Sequence, residues 1–102
     1  MRTLTGVGAY FSAAHRDKLT GDLHGHSYEV IAWHECEHGN DAENLREHLR
    51  KLCEGLFDHK ELPPELAWGE DIARAILHLS LPSCVAVEVR RPIERFYARA
   101  EV

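Results

Sequence analysis

Four stretches of this chain alternate apolar and polar residues with period two, and two stretches between them repeat apolar residues with helical period. That order restricts the fold more than any other feature of the sequence. Residues 2–14 read RTLTGVGAYFSAA, with Val7, Ala9, Phe11 and Ala13 on one side, as a strand requires. Gly6 and Gly8 within this run predict a bulge or a bend. After a short polar loop, RDKLTGD, alternation resumes from His24 to about Cys36. His26, Tyr28, Val30 and Ala32 share one side of that run, and Ser27, Glu29, Ile31 and Trp33 the other. Two strands joined this closely predict an antiparallel hairpin. GND at 39–41 breaks the pattern, and Asn40 with Glu43 has the form of a capping box. Leu45, Leu49, Leu52 and Leu56 then predict an amphipathic helix over roughly 42–57. Pro63–Pro64 suits entry to a second helix, with Trp68, Ile72, Ile76 and Leu79 at helical offsets and Pro82 beyond its end. SCVAVEVRR and ERFYARAEV are two further strands around a tight connection at Pro92.

The order ββααββ implies an α+β domain over 1–102, a four-stranded antiparallel sheet with both helices on one face. The other face then needs cover, and in a chain of 102 residues the natural source is another subunit, so a homo-oligomer is expected. A net charge of −5 with neutral histidines argues against a nucleic-acid binder, which would be basic. The sequence has no cationic-then-apolar leader and no apolar run near 20 residues, so the expected setting is cytoplasmic, away from membranes. Cys36, Cys53 and Cys84 form no C-x-x-C pair and read as reduced, buried thiols. Trp33 and Trp68 read as packing residues. His34, His38, His48 and His78 read as solvated, and REHLRK as a solvated helix face.

Histidine is the anomaly of the composition, with eight in the chain. His24 and His26 are two apart and therefore project from one side of their strand. His15 shares the parity of Phe11 and Ala13, and it reaches the same point if the hairpin brings it alongside His24. Three neutral imidazoles with an open fourth position make a catalytic zinc site, whereas a structural zinc has four protein ligands. Strand parity alone leaves two readings open, a metal site and a chance H-x-H pair.

FSAAH at 11–15, LHGHSY at 23–28, DHKEL at 58–62 and Glu70 in WGEDIARAI together resemble the 6-pyruvoyl-tetrahydropterin and 6-carboxytetrahydropterin synthase family. The likeness runs over nearly the whole chain. It implies the tunnelling fold, Zn2+ held by His15, His24 and His26, and trimers that stack into hexamers with active sites at subunit boundaries. It also implies a lyase acting on dihydroneopterin triphosphate or a related small molecule, in which zinc polarises side-chain oxygens of the substrate. Asp58 and His59 match the Asp–His pair that assists a cysteine base. Two positions depart from the family pattern. Thr20 stands where the base cysteine belongs, four before His24, and an alcohol is a far weaker base than a thiolate; Asp22 is a carboxylate in the same loop. Arg91 stands where a glutamate anchors the pterin, and a guanidinium has no acceptor to offer; Glu94 lies nearby in the turn. Arg91, Glu70 and Thr20 are accordingly the candidate substrate-binding residues. A second reading is a catalytically silent or repurposed zinc-containing oligomer that binds a different anionic ligand at Arg91.

Overall fold

A computed structural model of the chain describes residues 1–36 and 41–102. The elements are β1 (Leu4–Arg16), β2 (Leu23–Glu35), α1 (Ala42–Leu56), β3 (Lys60–Glu61), a 3₁₀ turn (Pro64–Leu66), α2 (Gly69–Leu79), β4 (Cys84–Arg91) and β5 (Phe96–Glu101). They form one sheet in the order β3-β1-β2-β4-β5, the fold class the sequence predicts but with one strand more. The extra strand is part of the connection after α1. His59 N–H donates to the Ser12 carbonyl (2.6 Å) and Leu62 N–H to that of Ala14 (2.7 Å), zipping Lys60–Glu61 parallel onto the edge of β1. Two residues are too few for alternation to be visible in a sequence.

The long hairpin carries the architecture. Every residue of β1 pairs with β2 without interruption, from Leu4↔Glu35 to Arg16↔Leu23. Of the bulge or bend expected at Gly6 and Gly8, the bulge is therefore absent; the register shift falls instead between Trp33 and His34 on the β2–β4 side. Gly6 has another use. A Cβ there would lie 2.8 Å from the Trp33 ring, so glycine lets the indole lie flat across the neighbouring strand.

The core lies between the sheet and both helices. Phe11 stacks on Tyr28 (centroids 4.8 Å apart) and on Phe57 (5.3 Å). α1 packs on β1, and α2 on β4 and β5. The buried stripe of α1 is Leu45, Leu49 and Cys53, continued by Phe57, whereas Leu56 is exposed and Leu52 half-buried. A strict four-residue repeat advances about 40° per step around a helix of 3.6 residues per turn, so the buried line slants from Leu45 through Leu49 to Cys53 instead of keeping to the straighter line that Leu52 and Leu56 would continue. Burial pushes the Cys53 thiol up to about 12 and that of Cys84 upward as well, so both are inert packing thiols; Cys36 is only half-buried. Trp68 is 51% exposed and is not a core residue: it precedes α2 at its N-cap, with the Lys18 ammonium 5.9 Å from its ring. The Asn40 capping box and His38 lie outside the described residues.

His34 is likewise not solvated. It continues the inward parity of Val30 and Ala32, is 2% exposed, and its Nδ1 shares a 2.8 Å hydrogen bond with Ser83 Oγ. His48 is half-buried, while His78 is exposed as expected.

The outer face of the sheet is mixed, with Tyr10 and Leu23 exposed and Ile31 and Trp33 half-buried beside a band of charge. Glu29, Arg90, Glu88, Arg99 and Glu101 form a chain of ion pairs across β2, β4 and β5, next to a Ser12–Ser27 pair.

Two outcomes follow from this packing. Gly6→Val should lower stability by about 1–3 kcal/mol through overpacking against Trp33, read by urea unfolding with indole fluorescence as the signal; an unchanged midpoint contradicts the assigned contact. Burial, and secondarily the charge of His48, holds His34 below its ordinary value, so the folded state favours the neutral ring. The corresponding stability is present above the ordinary histidine range and is lost as pH falls through it toward the lower folded value. Unfolding midpoints should fall between pH 7.5 and 5.5, and His34→Gln should flatten that dependence.

Candidate metal centre and the adjoining cavity

The register of the hairpin assembles the three histidines. His15, next to last in β1, lies directly opposite His24, and His26 lies opposite Ala13. All three share the parity that faces the helices. The ring centroids are 5.0 Å apart for His15–His26, 6.2 Å for His15–His24 and 6.5 Å for His24–His26. The Nε2 atoms of His15 and His26 are 3.0 Å apart. A tetrahedral zinc bonded at about 2.0 Å to imidazoles holds its nitrogens about 3.3 Å apart and the ring centroids about 5 Å apart. His15 and His26 fit that spacing as they stand. His24, which is exposed, stands about 1 Å too far out, so among the described residues no three ligating groups form a finished metal cage.

The chemistry of the donors suits a cation. Burial, followed by the charges of His26, Arg91 and His24, holds His15 below its ordinary value, which keeps a ring lone pair available at neutral pH. His26 Nδ1–H donates to Glu94 Oε1 at 3.0 Å. With the proton on Nδ1, His26 Nε2 carries the lone pair and faces Nε2 of His15. Glu94 comes from the four-residue turn between β4 and β5, where Arg95 adopts a positive φ of 62° and its N–H donates to the Arg91 carbonyl (2.8 Å).

A cavity of about 260 Å³ opens beside the histidines, lined by Tyr28, Trp68, Glu70, Arg91, Phe96 and Tyr97 among others. Tyr28 and Trp68 form the boundary with the histidines, 6.0 Å from the His26 ring and 6.5 Å from that of His15. Arg91 lies over the face of Phe96 at 5.2 Å, and its Nη2 donates to Glu94 Oε1 at 3.2 Å. Its Nε is buried without a partner. Glu70, in the first turn of α2, and Arg91, at the end of β4, thus meet in one cavity although 21 positions separate them in sequence.

Asp58 and His59 form a pair at the edge of the sheet. Asp58 Oδ1 accepts the Ser12 N–H (3.0 Å), and Oδ2 accepts from His59 Nδ1 (2.8 Å). The Ser12 N–H, then His59, holds the Asp58 carboxyl below the usual carboxylate range. His59 has a positive φ of 57°, and its side chain is 83% exposed. It lines a shallow depression with Leu23 and Gly25, whose strand parity is opposite to that of His24 and His26. Within one chain, the Asp–His pair and the three histidines therefore lie on opposite faces of the sheet.

Thr20 is occupied in shaping its loop. Asp17 Oδ1 accepts the N–H groups of Leu19 (2.8 Å) and Thr20 (3.0 Å), and Thr20 Oγ1 accepts the Asp22 N–H (3.2 Å). Thr20 and Asp22 are both exposed, and neither lines the cavity beside the histidines. Glu94 is the participant that sequence reasoning undervalued. Its signal was the pairing of Arg91 with Phe96, which leaves only four residues to turn and returns Glu94 over the strand ends.

Sequence alone gives no match, either to a family profile or to a curated protein. Comparison of structures does. The 6-pyruvoyl tetrahydropterin synthase of Caenorhabditis elegans superposes with a TM-score of 0.76 at 16% identity, covering 100% of this chain and 99% of the other. This chain has the tunnelling fold. An uncharacterized protein from Wolinella succinogenes superposes with a TM-score of 0.72 at 14% identity, covering 99% of this chain and 98% of its own. No helix among the described residues is long and apolar enough to cross a membrane.

Proposed function

We propose that this chain is a zinc-binding, self-associating protein that acts as a lyase of the pterin synthase type on dihydroneopterin triphosphate or a related small anionic molecule. The observation that carries the reading is the 3.0 Å approach of His15 and His26 Nε2 at the rim of a cavity holding a guanidinium. His15, His24 and His26 would hold the metal. When bound, zinc supplies Lewis-acid polarisation of ligand oxygens and lowers the cost of removing an adjacent carbon-bound proton. The aromatic walls accept a flat ligand body, and Arg91 receives its anionic group.

The Asp58–His59 pair serves this reaction from a second copy. It faces away from its own histidines, and the edges of the sheet supply the means of association. Among the described residues, β1 carries only the two-residue β3 along its outer edge, and the outer edge of β5 has no partner. Joining the β5 edge of one copy to the β1 edge of the next is a heterologous contact that closes into a ring. In such a ring, a trimer or a stack of two, His59 of one copy approaches the cavity of another, and Asp58 fixes its ring nitrogen as catalytic imidazoles require.

A second reading is favoured by Arg91 and Thr20 together. Neither can supply the acceptor or the thiolate base of the pterin synthases, and Cys53 and Cys84 are buried in the core. In that reading the oligomer keeps the metal and the fold but binds a different anion without turnover.

Elemental analysis of the purified protein should find zinc, and the doubled variant His24→Ala/His26→Ala should lose it; equal zinc in both refutes the ligand assignment. Dihydroneopterin triphosphate offered to the zinc-loaded protein should give products separable by chromatography, with at least about 100-fold loss in His59→Ala. Zinc binding without turnover, and without heat of binding for the pterin, would instead establish the second reading.

A further inference from the structure

We propose that Glu94 is a positioning residue for the metal, fixing the tautomer and the orientation of His26 from the β4–β5 turn. This inference rests on the zinc reading above. Among the described residues, His26 is the only member of the three whose second ring nitrogen has a hydrogen-bond partner, and that partner is Glu94 Oε1 at 3.0 Å. A carboxylate on one imidazole nitrogen holds the proton there, leaves the other nitrogen as a directed lone pair, and raises its basicity as a ligand. The lone pair so directed is the one that faces His15.

Glu94 is itself held in place. The same oxygen accepts from Arg91 Nη2 at 3.2 Å, and Arg91 is packed over Phe96 at 5.2 Å. Phe96 is directly paired with Arg91 across the hairpin. A relay therefore runs from the wall of the cavity to the metal ligand: Phe96, Arg91, Glu94, His26. Its carboxylate serves two donors at once, which ties the guanidinium at the ligand end of the cavity to the imidazole at the metal end. Glu94 touches neither of the other two histidines, so the arrangement defines one firm arm of the site, His26. His15 is held by burial, and His24 is held by neither.

The test is zinc affinity, measured by competition with a chromophoric chelator, in wild type, Glu94→Gln and Glu94→Ala. Removing such an outer carboxylate should weaken zinc about 10–100-fold in Glu94→Ala. Glu94→Gln should fall between, because the amide oxygen still accepts the Nδ1 proton but carries no charge. Nitrogen-detected NMR of the metal-free proteins gives a readout that a merely structural role would not move. His26 should carry its proton on Nδ1 in wild type and Glu94→Gln, and lose that preference in Glu94→Ala. The turn is exposed enough that all three proteins should fold, with unfolding midpoints as the control; if Glu94→Ala does not fold, the wild-type and Gln comparison decides. Zinc affinity within twofold across the series, with an unaltered His26 tautomer, overturns the inference while leaving the zinc reading intact. A wild type that takes up no zinc removes the zinc reading, and this inference with it.

Discussion

Everything about the candidate site depends on the uninterrupted antiparallel pairing of β1 with β2. Because side chains alternate with period two, a slip of one residue would turn a whole strand over. His24 and His26 would then point to the outer face while His15 stayed on the helix side. The same slip would remove Tyr28 from its stack on Phe11 and expose Val30 and Ala32. The register that buries the core is therefore the register that gathers the histidines. Bringing the three imidazoles together comes at no separate structural cost, since the core already specifies it. The helices contribute by sealing the apolar end of that face, leaving its other end open at Trp68 and the cavity.

Much of this was legible in the residues. The parity of His15 with Phe11 and Ala13, and of His26 with Tyr28 and Val30, is a local property that the hairpin preserves. The ββααββ order follows from periodicity in segments long enough to show one. What escaped was decided by tertiary contacts. Lys60–Glu61 is too short to alternate and becomes a strand only because β1 offers free carbonyls at Ser12 and Ala14. Gly6 looks like a break in a strand until the Trp33 indole is seen to need the space. His34 resembles its solvated neighbours in composition, yet it continues an inward-facing series and has Ser83 to satisfy its ring. Glu94 sits in a turn where polar residues are ordinary, and only the closeness of the turn to the strand ends gives it a partner.

The candidate chemistry is divided between two faces of one sheet. On the helix side are the imidazoles, an aromatic cavity and a guanidinium; on the other are Asp58 and His59. A single chain holds both halves and brings neither to the other. That division is a structural argument for assembly, independent of how much apolar surface the outer face leaves uncovered around the ion-pair ladder of Glu29, Arg90, Glu88, Arg99 and Glu101. At 16% identity, this chain and a synthase of known structure share a fold while sharing few residues.

The flat lodging of Trp33 over Gly6 has a mechanical consequence. It clamps the hairpin at the end remote from the histidines, where the indole spans both strands. The opposite end terminates in the exposed loop that carries Thr20 and Gly21, and His24 stands in solvent at its base. The loop end is held instead by its own hydrogen bonds, with Asp17 accepting from Leu19 and Thr20, and the exposed His24 ring stands beside it with little packed against it.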